Sequence, residues 1–184
     1  DYRDMAYMGF SEVLRNLDKV FGNLRRAKEA LRKSCPDALI LVDYPSFNLK
    51  LAKAAHQLGI PVFYYISPKV WAWKEYRLKS MKRYVDKIFS ILPFEVDWFS
   101  ERGLEVEYVG NPCVDAIENR AHKNESRTDF EERTGVDSRP ILALLAGSRV
   151  QEVKSSLPIM LDSASQYKDY QVVVAGVKSI DSAL

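Results

Sequence analysis

A chain of 184 residues, 47% of them apolar, has the length of one domain or two small ones and the composition of a packed globular protein, which excludes disorder. Its 27 lysines and arginines against 25 acidic residues leave a formal charge of only +2, too small a basic excess for a nucleic-acid binder. Phosphate ligands stay open, because a few local cations suffice for them.

In chain order, the spacing of Val13, Leu14, Leu17, Val20, Phe21, Leu24, Ala27 and Leu31 predicts a helix over 9–33, with Arg15, Lys19, Arg25, Arg26 and Lys28 on its polar surface. An apolar stripe flanked by cations suits two roles equally, an interfacial helix among anionic lipid heads and a helix packed on a core. Pro36-Asp37 breaks it, and 38–42 follows as a strand. A helix over 47–58 is ended by Gly59, and 61–66 is the next strand. A basic helix over 74–84 leads to a strand over 87–92; Pro93 opens a helix that Gly103 stops, and 106–109 is a short strand.

The stretch 119–139 is dense in charge, with a turn at Thr134-Gly135, and reads as a linker carrying a short helix. The alternation then restarts with a strand over 141–145, a helical stretch over 151–167 that Pro158 is expected to interrupt, and a strand over 171–175. Alternation of this kind marks an α/β fold, a parallel sheet with helices on both faces. The expected domains are 1–118, lacking its first strand, the linker 119–139, and 140–184 as the start of a second α/β domain whose one βαβ unit cannot bury a core alone. The chain is therefore expected to be the interior of a longer enzyme.

Neither a signal-peptide pattern nor an apolar run of transmembrane length is visible, so the chain reads as cytoplasmic. Cys35 and Cys113 have no partner spacing and are expected as reduced, buried, small apolar side chains. His56 and His122 are too few and too distant to build a metal site.

The chemistry concentrates where apolar runs end. Asp43 follows 38–42, which puts a carboxylate at the carboxyl end of a buried strand, where ligands meet an open parallel sheet. From spacing alone a base and a turn aspartate bonded to nearby backbone are equally good readings. Asn48 either orients that carboxylate, bonds a ligand hydroxyl, or is simply a polar residue at a helix start. Ser67, Trp71 and Trp73 lie on the exit of the second strand, and Glu95 follows Pro93-Phe94 at the exit of the third. Gly147-Ser148-Arg149 sits where a strand enters a helix: glycine lets the backbone approach a phosphate, the helix start offers N–H groups, and arginine adds a charged fork. Its alternative is an ordinary capping turn.

Five segments in order, Asp43-Tyr44-Pro45-Ser46-Phe47-Asn48, Ile66-Ser67-Pro68-Lys69-Val70-Trp71-Ala72-Trp73, Ile91-Leu92-Pro93-Phe94-Glu95, Tyr108-Val109-Gly110-Asn111-Pro112 and Leu144-Leu145-Ala146-Gly147-Ser148-Arg149, closely resemble the lipid-A-disaccharide synthases. The resemblance runs from about Met8 to about Ala175. Three positions depart from the commonest pattern: Ser46 replaces an acid, Asn111 a histidine and Ala146 a proline. The resemblance implies an inverting glycosyltransferase of the two-domain glycosyltransferase-B architecture, with the acceptor on the first domain and the nucleotide sugar on the second. It implies Asp43 as catalytic base, and Asn48, Ser67, Trp71, Trp73, Glu95, Asn111, Gly147, Ser148 and Arg149 as substrate- or nucleotide-binding residues.

The implied partners are UDP-2,3-diacylglucosamine and 2,3-diacylglucosamine 1-phosphate, with no cofactor and no metal. The implied place is the cytoplasm, at the inner face of the cytoplasmic membrane if the first helix is interfacial. Two rivals remain. One is another UDP-sugar enzyme of the same architecture, an epimerase or a glucosaminyltransferase, against which the two-tryptophan loop and Leu-Pro-Phe-Glu argue. The other is a noncatalytic nucleotide-sugar or lipid-binding module.

Overall fold

Short runs of β-branched and aromatic residues fit a pleated, half-buried surface, and here they become strands of two to four residues. The computed structural model describes residues 17–177 and residue 180. The described chain falls into two compact units that divide between Asn119 and Arg120.

In the first unit, β1 (Leu39–Val42), β2 (Val62–Tyr65), β3 (Lys87–Ser90) and β4 (Glu107–Tyr108) form one parallel sheet in the order β1-β2-β3-β4. The register sets Leu41 beside Tyr64 and Tyr64 beside Ile88. All three are buried, and with Val62 they form one face. That face packs against helices because its side chains alternate with those of the other. On the opposite face Ile40 is 69% exposed and Val42 51% exposed.

The helices are α1 (Leu17–Ser34), α2 (Pro45–Gln57), α3 (Leu78–Tyr84) with a 3-10 turn at Glu75–Arg77 before it, α4 (Glu95–Ser100) and α5 (Pro112–Glu118). Pro45 occupies the first turn of α2, where its missing N–H is no loss, so α2 starts two residues before the expected 47. Leu31, Leu49, Ala52, Ala55, Met81 and Phe99 fill the layer between helices and sheet. Complete burial of side chains such as Val62, Ile88 and Phe99 contributes about 1.5–3 kcal/mol apiece.

The described part of the first helix takes the core role. Leu24 and Leu31 are buried and Ala27 packs against the core cluster, while Lys50 Nζ sits 5.3 Å from the exposed Phe21 ring. Residues 9–16 of that expected helix, Arg15 among them, lie outside the described residues, as does the side chain of Lys19. Among the described residues no helix is long and apolar enough to cross a membrane. Both cysteines are exposed, contrary to expectation. Cys35 has φ 40° just beyond α1, where its thiol donates to Arg32 O at 3.3 Å, and Cys113 stands in the first turn of α5, whose described residues bury nothing.

The second unit holds α6 (Arg127–Thr134), β5 (Ile141–Leu144), α7 (Val150–Ala164) and β6 (Gln171–Val174), with β5 and β6 parallel. Ser126 and Asp129 cap α6 reciprocally, and Gly135 at φ 72° ends it. Helix α7 runs unbroken through Pro158, which corrects the expected interruption. The residue lies on the exposed side, where water can take the bond its missing N–H would have made. Only Leu144, Ala146 and Ala164 are buried among the described residues of this unit.

Candidate functional site

The exit of β1 is built by backbone strain and the bonds that hold it. Asp43 and Tyr44 both have φ 44°, the left-handed region that non-glycine residues avoid. The Asp43 N–H donates to Tyr65 O at 3.0 Å, which continues the sheet one residue beyond β1. The Asp43 carbonyl accepts from Asn48 Nδ2 at 2.7 Å and from the Tyr64 hydroxyl at 2.5 Å, and Asn48 Nδ2 also donates to Val42 O at 2.9 Å. Asn48 is buried, and its amide nitrogen donates to backbone carbonyls on both sides of the turn. Burial pushes the Tyr64 hydroxyl well above the ordinary tyrosine value, so it remains a donor. The Asp43 residue itself is exposed.

A second cluster joins the exits of β2 and β3. Ile66, a β-branched residue, has φ 61° and turns the chain into Ser67-Pro68 while its N–H donates to Phe89 O at 3.0 Å. Ser67, Ser90 and Glu95 are fully buried. Both serine hydroxyls donate to Glu95 Oε2, while Trp71 Nε1 donates to Oε1 at 2.8 Å and Lys69 Nζ reaches it at 3.0 Å. Burial opposes the charge on Glu95, but the donors outweigh it and hold the carboxyl below the ordinary glutamate range. Ser67 and Glu95, both expected to meet a ligand, thus face inward and fix the loop.

That loop presents its indoles differently. Trp71 is 39% exposed and lies edge-on to Phe94 with ring centroids 5.1 Å apart. Trp73 is 61% exposed, with Lys74 Nζ 3.9 Å from its ring, so it does not pack the core. Arg77 ties the loop to the β1 exit: it donates to Ser46 Oγ at 2.7 Å, and its guanidinium lies 5.9 Å from the Trp73 ring. Asp43, Ser46, Asn48, Trp71 and Trp73 are therefore gathered at the carboxyl end of one sheet. Asn111 caps α5 by accepting from Cys113 N at 3.0 Å.

In the second unit, Gly147 has φ 116° in the turn between β5 and α7. Ser148 N and Arg149 N donate to Glu152 Oε2 at 3.0 and 3.2 Å, and Arg149 Nη1 donates to Oε1 at 2.7 Å. Three donors converge on one carboxylate, which the Arg149 guanidinium and the Ser148 N–H hold below the ordinary glutamate range. A Cβ at Gly147 would lie 2.7 Å from Glu152 Cβ, so the close approach requires glycine. The turn thus binds an anion, supplied by its own helix.

Sequence reasoning did not single out Tyr64 or Arg77 as site residues. A tyrosine in a strand reads as core, and an arginine in a basic helix reads as solvated surface. Among the described residues no group of three or more His, Cys, Asp or Glu side chains is placed to hold a metal ion.

A family profile described as lipid-A-disaccharide synthetase matches residues 1–182. The chain is 41% identical to the lipid-A-disaccharide synthase of Myxococcus xanthus, over 98% of this chain and 48% of that protein. It is 43% identical to the lipid-A-disaccharide synthase of Trichlorobacter lovleyi, over 89% of this chain and 42% of that protein. The chain thus spans less than half the length of these curated relatives. Among solved structures, UDP-GlcNAc 2-epimerase from Neisseria meningitidis bound to UDP-GlcNAc superposes with a TM-score of 0.60 at 15% identity, covering 94% of this chain and 50% of that one. The S. aureus MnaA–UDP co-structure gives 0.60 at 12% identity, covering 88% and 47%. At these identities the likeness is one of fold.

Proposed function

We propose that this chain, which belongs to the lipid-A-disaccharide synthetase family, is the part of an inverting hexosyltransferase that carries the catalytic base and a diphosphate-binding turn. The reaction joins UDP-2,3-diacylglucosamine to the 6-hydroxyl of 2,3-diacylglucosamine 1-phosphate, giving the β-1,6-linked lipid A disaccharide 1-phosphate and UDP. The observation that carries this reading is Asp43: an exposed carboxylate on a backbone held by four hydrogen bonds, at the strand end where an α/β sheet meets its ligand, inside a family match over residues 1–182.

The chemistry follows from charge. Asp43 takes the proton of the acceptor hydroxyl as that oxygen attacks the anomeric carbon from the face opposite the diphosphate. The bond from carbon to phosphate oxygen breaks, its electron pair leaves with UDP, and the configuration inverts in one displacement. The transition state gathers positive charge on the sugar and negative charge on the leaving diphosphate. Arg149 and the N–H groups of Ser148 and Arg149 are the donors suited to the latter, once Glu152 gives up the bonds it makes to them. The rim of Trp71 and Trp73 offers flat apolar surface to a sugar face or an acyl chain. The enzyme works in the cytoplasm, where its acylated substrates are presented at the inner face of the membrane.

The test is transfer from a labelled UDP-sugar by the full-length enzyme. Asp43→Asn keeps shape and removes basicity, and turnover is expected to fall by roughly a hundredfold or more. Near-normal turnover would reject Asp43 as the base.

A further inference from the structure

We propose that Tyr64 is a positioning residue for the proposed base, its buried hydroxyl holding the Asp43 carbonyl so that the strained β1 exit presents the carboxylate to the acceptor. The inference rests on the reading of Asp43 as base. Two consecutive non-glycine residues with φ 44° are uphill conformations that persist only where the surroundings over-determine them. Aspartate tolerates the left-handed region better than most residues, and tyrosine does not share that tolerance.

The restraints here are specific. The Asp43 N–H is fixed on Tyr65 O at 3.0 Å, and the Tyr44 carbonyl accepts from Asn48 N at 3.1 Å. Between them, the Asp43 carbonyl fills both of its acceptor positions, with Tyr64 at 2.5 Å and Asn48 at 2.7 Å. A carbonyl held by two donors fixes the plane of the Asp43–Tyr44 peptide, and with it the direction in which Cβ of Asp43 leaves the backbone.

The register explains how a tyrosine does this. Tyr64 lies beside Leu41, two residues before Asp43, a rise of roughly 6.6 Å along the strand. A ring leaning along the strand direction spans that distance and brings its hydroxyl to the strand end. Phenylalanine would fill the same space between Leu41 and Ile88. What it would lack is the bond to Asp43, so the hydroxyl bears on the turn and not on the core.

Tyr64→Phe in the full-length enzyme separates the two. The expected result is a loss of about tenfold in kcat, per folded molecule by near-UV circular dichroism, with KM for both substrates within about twofold. In an Asp43→Asn background, Tyr64→Phe is expected to cost less than about twofold more, because a positioning residue has nothing left to position. Unchanged kcat in Tyr64→Phe, with Asp43→Asn inactive, would overturn the role of Tyr64 and leave the base standing. Equal losses in both backgrounds, or a loss confined to KM, would also overturn it. Normal turnover in Asp43→Asn would remove the base and the positioning role together.

Discussion

Replacing Glu95 perturbs a carboxylate that is fully buried in the first unit, and its cost can be worked from the donors around it. In Glu95→Ala, Lys69 and Trp71 keep a route to water, since the Lys69 side chain is 34% exposed and Trp71 39% exposed. Ser67 and Ser90 are fully buried and regain nothing from solvent. Ser90 can still turn its hydroxyl to Leu92 O at 3.0 Å, which leaves Ser67 as the stranded donor. One stranded group at about 1–3 kcal/mol, with the lost packing and the broken pair to Lys69, gives a destabilisation of about 3 kcal/mol.

Glutamine is milder. Its oxygen can still accept from Trp71 and Lys69, and its NH2 can face the serines if their hydroxyls reverse, so about 1–2 kcal/mol is expected. The pH dependence carries the sharper signature. A carboxyl whose folded value is depressed contributes stability that is present above its ordinary titration range and lost as pH falls through the depressed value. Urea unfolding of the full-length protein between about pH 7 and pH 3 should therefore show a shallower acid loss in Glu95→Gln than in wild type. Parallel curves in the two proteins would refute the reasoning, because Glu95 would then be uncharged or unsupported in the folded state.

Three further outcomes are expected. Arg149→Ala in the full-length enzyme should weaken UDP binding or slow transfer by about tenfold or more, read by titration and turnover, with lysine restoring only part because it lacks the planar fork. Gly147→Ala should destabilise the β5–α7 turn by at least about 1 kcal/mol in urea unfolding, since φ 116° and a Cβ 2.7 Å from Glu152 are both unfavourable. Pro158→Ala should raise stability by about 1 kcal/mol or more in the same assay, because an interior N–H of α7 regains its bond.

The strands were legible because each is a short apolar run closed by proline, glycine or a charge, and the core side chains Leu41, Val62 and Ile88 follow from alternation. Pro158 misled because the rule against proline in helices says nothing about whether the position faces water. The candidate base was legible from its place after a strand. Its supports were not, since Tyr64 is 21 residues from Asp43 and its hydroxyl is used at a register position that only strand pairing reveals. Glu95 was found as a residue but its orientation was not, because its partners Ser67, Lys69 and Trp71 come from 24 to 28 residues away. The exposure of Cys35 and Cys113 likewise depends on which side of a turn the chain leaves, and composition carries no record of that.

The two exposed thiols have a practical corollary for handling and for spectroscopy. Cys35 precedes β1 and Cys113 follows β4, so in a parallel sheet ordered β1-β2-β3-β4 they mark opposite ends and opposite edges. Three strand spacings across and four residues of rise along separate them by roughly 20 Å, far beyond the span of a disulfide. Air oxidation should consequently link neighbouring molecules rather than close a loop within one, and the covalent species formed will be dimers and longer chains that a reductant dissolves. Under reducing conditions the same pair offers two maleimide positions flanking the sheet, whose mutual energy transfer would report on its integrity without touching the Asp43 turn.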